Sequence, residues 1–345
     1  MRRLQSLLPP SAAFPIAIIV NVLCAAVADA HVKWFCAYNV AGQPAGLENV
    51  LCPDFETLTG LSVLALMVGA LVEHTDLGSA MVRAIDRVTR FVRDNTEIMY
   101  RAGTAFFFIS IWAIGGILLT PELKTNSTAV AAIQLGIAAG MLSRRTMPLS
   151  AAGIAIIFCI AIHDYGIFHL ADYPIFLGVA AYLALAGLQC DFFGFNRLDI
   201  VRWSAGVTLM WASIEKWAYP QWSYPLFIEH PNMTMGLTPD FFMRAAGAVE
   251  FALAFSLMWT PLVRRVGSTI LAAMFISAVF EFGKVDLVGH TLIVVVLLSI
   301  AADNRTEPVK LRNQWLIPVA YAASLALFLV AYYEAHAVLF GTSLT

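Results

Sequence analysis

Apolar residues in this chain fall in long, nearly unbroken runs rather than in strict alternation. With their flanking residues the runs are long enough for helices that cross a bilayer. Ten of them cover residues 58–72, 104–120, 128–142, 149–162, 174–188, 200–217, 241–260, 266–282, 287–302 and 316–333, and an eleventh lies at 12–27. One connection has its own period. Across 79–100, Met81, Ile85, Val88, Phe91 and Val92 recur at helical spacing, while Arg83, Arg87, Arg90 and Arg93 share the other side. That predicts an amphipathic helix lying on the cytoplasmic membrane surface. The expected fold class is all-α, a polytopic membrane bundle of 10–11 transmembrane helices.

Composition agrees with the pattern. A chain of 345 residues that is 60% apolar and 13% charged, with mean hydropathy +0.76, cannot hide its apolar surface in one soluble core. The bilayer is therefore the first partner. No basic tract or stacking platform points to nucleic acid. Assigning alternate loops to the cytoplasm places 16 of the 21 Lys and Arg residues inside. This predicts that the C-terminus lies outside.

The chain also matches itself. Shifted by 117 positions, Asp164-Tyr165-Gly166-Ile167-Phe168-His169-Leu170-Ala171-Asp172-Tyr173 lies over Glu281-Phe282-Gly283-Lys284-Val285-Asp286-Leu287-Val288-Gly289-His290 without a gap. Each copy carries a double arginine in its central inner turn, Arg144-Arg145 and Arg264-Arg265, and Gln134 stands about where Glu250 does. Residues 101–190 and 200–302 are thus read as two four-helix repeats. An even number of spans per repeat makes them parallel, related by an axis along the membrane normal. The remaining segments are 1–30, a signal peptide or first transmembrane helix, and 31–56, an external segment. Residues 57–100 supply a transmembrane helix plus the amphipathic one, and 315–345 the C-terminal helix.

Candidate chemistry gathers at the outer end of the second repeat. Lys216 lies fourteen residues past Arg202, about 21 Å up a helix, short of the ~30 Å hydrocarbon thickness. Glu281, sixteen past Arg265, reaches a similar depth, and Lys284, Asp286 and His290 follow it. Glu250 sits mid-span among small residues, where a carboxylate must face the bundle interior and find a partner or a proton. A closed ion network that only fixes helix register is the structural alternative.

Metal chemistry has weaker candidates. Cleavage after Ala30 would free His31, whose amine and ring could chelate copper. In the alternative reading, Trp34 and Phe35 simply anchor the segment at the interface. His230 with Met233 and Met235 offers a soft ligand set, but no spacing motif supports it. Cys36 and Cys52 flank a polar stretch where an oxidising compartment would permit a bridge. Signatures of phosphate loops, nucleophile elbows and zinc proteases are missing.

The second repeat resembles the DoxX-type four-helix membrane module. The resemblance rests on Glu215-Lys216, on Gly247 with Glu250, on Arg264-Arg265, and on the acidic turn ending in Gly289-His290. It covers residues 200–302 well and 101–188 weakly. It implies a membrane subunit of the kind found with quinone-linked sulfur oxidoreductases or thiol and oxidative-stress systems. The expected function is a redox-associated protein with a membrane or periplasmic redox partner. Glu250, Glu215, Lys216 and Glu281 would handle protons, while Lys284, Asp286, His290 and His230 bind a quinone headgroup or similar polar molecule. Alternatives are a small-solute or copper transporter coupled through Glu250, and a structural subunit of a membrane complex.

Overall fold

The computed structural model describes residues 32–191, 194–305 and 314–342. The expectations for segment 1–30 and for His31 as a copper ligand lie outside these residues. Eleven main helices follow one another: α1 Pro53–Glu73, α2 Asp76–Val88, α3 Thr96–Ile114, α4 Thr128–Gly140, α5 Met147–Tyr165 and α6 Pro174–Leu188. Then come α7 Arg197–Ala218, α8 Pro239–Ser256, α9 Pro261–Phe282, α10 Lys284–Ala302 and α11 Ile317–Phe340. Proline in the first turn starts six of them, where its missing N–H would be unpaired in any case.

Six of the described helices, α1, α3, α5, α9, α10 and α11, are long and apolar enough to cross a membrane. They turn residues such as Leu61, Leu64, Ile109 and Leu327 outward, as a lipid solvent requires. The protein is a multi-pass helical membrane protein. α7 and α8 are less apolar, and several of their charged side chains, Asp199, Arg202, Glu215 and Glu250, are buried in the bundle.

Two predicted boundaries shift. The single amphipathic helix expected over 79–100 is broken: α2 ends at Val88, a short turn covers Arg90–Asp94, and Thr96 already opens α3. Thr89 and Asn95 side chains donate to the Ile85 and Phe91 carbonyls at these breaks, competing with the helical ladder. The span expected at 104–120 ends at Ile114. Gly115 and Gly116, at φ +77 and +69, turn the chain into a loop that folds back through an Ile117–Lys124 bridge and buries Leu118, Leu119 and Leu123.

The helices form a closed ring. α3 packs on α4, α4 on α5 and α5 on α6, and the same order recurs through α7, α8, α9 and α10. The α6–α7 and α10–α3 contacts join the two halves, while α1 and α11 lie against the outside of the second.

Close crossings reveal the repeat. At α4–α5 a Cβ on Gly140 would lie 2.1 Å from the Ser150 hydroxyl, and at α8–α9 the partners exchange, with Gly267 against Ser256 at 1.9 Å. At α6–α7 Gly178 meets Ser204, and at α10–α3 Val295 meets Gly103. Paired positions are 101 residues apart in the first helix of each repeat, 116 in the second and 117 in the third and fourth. The difference arises in the longer α7–α8 connection. The two helix-ending glycines, Gly166 and Gly283, obey the same shift and both have positive φ.

Candidate functional site

A cavity of about 70 Å³ lies where the two repeats meet. Asp172, Tyr173, Ile175 and Phe176 line it from the first repeat. Gly289, His290, Leu292 and Ile293, each 117 positions further on, line it from the second. The cavity therefore sits on the axis relating the repeats. Thr120, Thr208, Leu209, Ala212, Lys216, Glu250, Phe275 and Trp34 complete its wall.

Polar groups enter this largely apolar space from both halves. Lys216 Nζ stands 2.8 Å from Glu250 Oε2, with both side chains almost fully buried. Glu215, expected beside Lys216, faces away from it, because successive helical residues point about 100° apart. Its partner is Lys33, whose Nζ lies 2.5 Å from Glu215 Oε1 and 2.5 Å from Asp172 Oδ2. One ammonium thus ties the two repeats together. Trp34, the next residue, packs against His290 with ring centroids 4.6 Å apart and planes tilted by 40°, and fills the space that a side chain at Gly289 would need. His290 Nδ1 in turn lies 2.9 Å from Asp286 Oδ2, one helical turn earlier.

A fifth carboxyl group stands just behind the wall. The Tyr173 hydroxyl donates to Glu122 Oε1, and Thr120 Oγ1 donates to the same oxygen at 2.9 Å. His169 Nε2 lies 3.9 Å from it. Burial pushes the Glu122 and Asp172 carboxyls above their usual range, although Lys33 opposes it at Asp172. Burial, and then the Lys33 charge, lowers His169 to about 3, so its ring is neutral. Burial opposes the charge of Lys33, but its two carboxylates outweigh that and hold the ammonium protonated.

The charge balance of this cluster is uneven. Five carboxyls, Glu122, Asp172, Glu215, Glu250 and Asp286, share it with two ammonium groups and two imidazoles. A buried excess of carboxylate is costly to keep charged.

Other predicted site residues lie elsewhere. Glu281 is exposed and pairs with His230 Nδ1 at 2.5 Å, and Lys284 is also exposed. Neither they nor His230 line the cavity, because Gly283 turns the chain between α9 and α10 and leaves its neighbours on the rim. Asp286 and His290, further into α10, are buried as expected. Met233 is buried in a small apolar cluster with Leu226, Phe227, Phe242 and Met243, while Met235 is exposed. Among the described residues no group of three or more His, Cys, Asp or Glu side chains could hold a metal ion. The bridge anticipated between Cys36 and Cys52 is not formed. Both are free and pack against different apolar clusters.

Sequence reasoning missed Lys33, Trp34, Glu122 and Asp172 as site residues. Only the last carried a signal, since Asp172-Tyr173 aligns with Gly289-His290 in the repeat. At the opposite end of the bundle Arg202, Arg264 and Arg265 are buried and Arg305 is half-buried, while Arg83, Arg87, Arg90, Arg144 and Arg145 stay exposed. Arg202 and Arg305 pair with Asp199, Arg264 and Arg305 with Asp303, and Arg265 with Asp86 at 2.9 Å.

Comparison of the chain with family models, with curated proteins and with solved structures returned no match.

Proposed function

We propose that the cavity between the repeats binds a small planar polar molecule, a quinone headgroup first, and that the surrounding carboxyls exchange its protons. The observation that carries this is the Lys216–Glu250 pair set in a cavity whose other walls are mostly aromatic and aliphatic, including Trp34, Phe176 and Phe275. The chemistry of its walls suits a flat ring with one or two acceptor oxygens, which enters a cavity of about 70 Å³ only when the walls part. A quinone carbonyl takes a hydrogen bond from a donor such as Lys216 or His290, and its reduction consumes protons. The cluster's surplus of carboxyls supports that role. The resemblance to DoxX-type modules points the same way, toward a bacterial inner-membrane protein working with a redox partner. The arginine end would face the cytoplasm, and a reporter active only outside the cell should work when fused after Thr345.

The test is quinone content and affinity. Protein purified with its native lipids should carry bound quinone, and Lys216→Met should lower affinity roughly tenfold or more, the expected loss of a hydrogen bond from a charged donor. Protein free of quinone, whose titration with a soluble analogue is the same in both forms, would count against the reading.

A second reading is favoured by the cavity's place on the axis between parallel repeats, where transporters hold their substrates. In that case Glu250 couples proton movement to solute movement. Uptake into vesicles driven by a pH gradient, and lost in Glu250→Gln, would replace quinone binding as the activity.

A further inference from the structure

We propose that Asp172, Glu215, Tyr38 and Trp222 form a binding site for a primary ammonium group, and that Lys33 of the same chain is its resident ligand, locking a lid over the cavity. The chemistry is complete at the site. The Lys33 ammonium has carboxylate oxygens from both repeats at 2.5 Å. It also sits 5.7 Å from the Tyr38 ring centroid and 5.6 Å from that of Trp222, within the range of cation–π attraction. Asp172 Oδ1 is buried and has no hydrogen-bond partner among the described residues, so the site retains acceptor capacity. A gap of about 30 Å³ lies beside the ammonium, bordered by Glu215, Lys216 and Trp222. That is room for a small group or a water.

The lid follows from the next residue. Trp34 is part of the cavity wall and packs on Gly289 and His290, so whatever holds Lys33 also holds Trp34 over the cavity. Asp172 and Glu215 come from different repeats, hence the lock also fixes the repeats against each other. A small primary amine competes for the same carboxylates by the same contacts. A quaternary ammonium has no N–H to give them and should not. This inference is independent of what the cavity itself binds.

The test is chemical rescue in the full chain. Lys33→Ala vacates the site, and its thermal midpoint in detergent should fall below that of the wild type. Propylammonium chloride should then raise the midpoint saturably in the millimolar range. Tetramethylammonium or sodium chloride at equal ionic strength should not. Lys33→Met, whose apolar side chain still fills the slot, should not respond to the amine, nor should Lys33→Ala combined with Asp172→Asn. If Lys33→Ala does not purify folded, solubilisation in the presence of propylammonium should restore monodisperse protein. No rescue in either format, or an equal response in the wild type, Lys33→Met and Lys33→Ala, would overturn the proposal.

Discussion

Lys216 and Glu250 set two opposite charges against each other inside the bundle, almost out of reach of water. Removing one partner strands the other charge away from water. Lys216→Met should therefore cost about 3–5 kcal/mol of stability, and adding Glu250→Gln should recover part of it. Unfolding of Lys216→Met, Glu250→Gln and the double variant in mixed detergent would measure this, and strictly additive losses would mean that the two groups are not coupled. His169 gives a prediction in pH. Lowered to about 3 in the folded chain, it stays neutral while its unfolded counterpart takes up a proton below about 6.5. The unfolded state binds more protons in that window, so stability falls as pH drops from about 6.5 toward about 3. One group contributes up to about 1.4 kcal/mol per pH unit. Asp172 has the opposite sign: its raised carboxyl favours folding in acid and loses that contribution as pH rises. His169→Phe should flatten the acid limb of the melting curve against pH, and an unchanged limb would show that another group controls it.

Among the elements, helix crossings decide where glycine is needed. A Cβ on Gly178 would lie 1.8 Å from the Ser204 hydroxyl, so Gly178→Val alone should destabilise by more than the ~1–3 kcal/mol typical of overpacking. The equivalent crossing in the other half already holds Val295 against Gly103. Gly178→Val with Ser204→Gly copies that pair and should restore folding. Monodisperse yield and thermal midpoint of the single and double variants test the duplication as a packing rule. The helix ends follow the same logic. Gly166 and Gly283 both stop a helix at positive φ, yet the first leads into the single helical turn Ile167–Leu170, leaving Tyr173 in the connection before α6, whereas the second leads into the whole of α10, which carries His290 into the cavity.

At the scale of the molecule the two ends of the bundle do different work. One end gathers carboxyls and two lysines around a cavity. The other locks Arg202, Arg264, Arg265 and Arg305 to Asp199, Asp303, Asp86 and backbone carbonyls. Asp303→Asn should accordingly lower the thermal midpoint while leaving ligand affinity within about twofold, as expected for distant sites that share no partner. A large change in affinity would reveal coupling between the ends.

By itself the sequence determined the membrane class, the places of ten helices among the described residues and the duplication. These depend on local hydropathy and on self-similarity, which a linear reading can follow. It also picked out Glu250, Lys216, Asp286 and His290, because charge inside an apolar run is conspicuous. Only the tertiary structure decided the partners. Glu215 and Lys216 are neighbours in sequence but face different ways on α7, so one meets Lys33 and the other Glu250. Lys33, Trp34 and Glu122 lie in polar segments where charge and aromatics are ordinary, and nothing local distinguishes a side chain that will be buried 139 or 182 positions away from its partner. Glu281, Lys284 and His230 looked equivalent to the buried groups, and a single glycine turn left them on the rim.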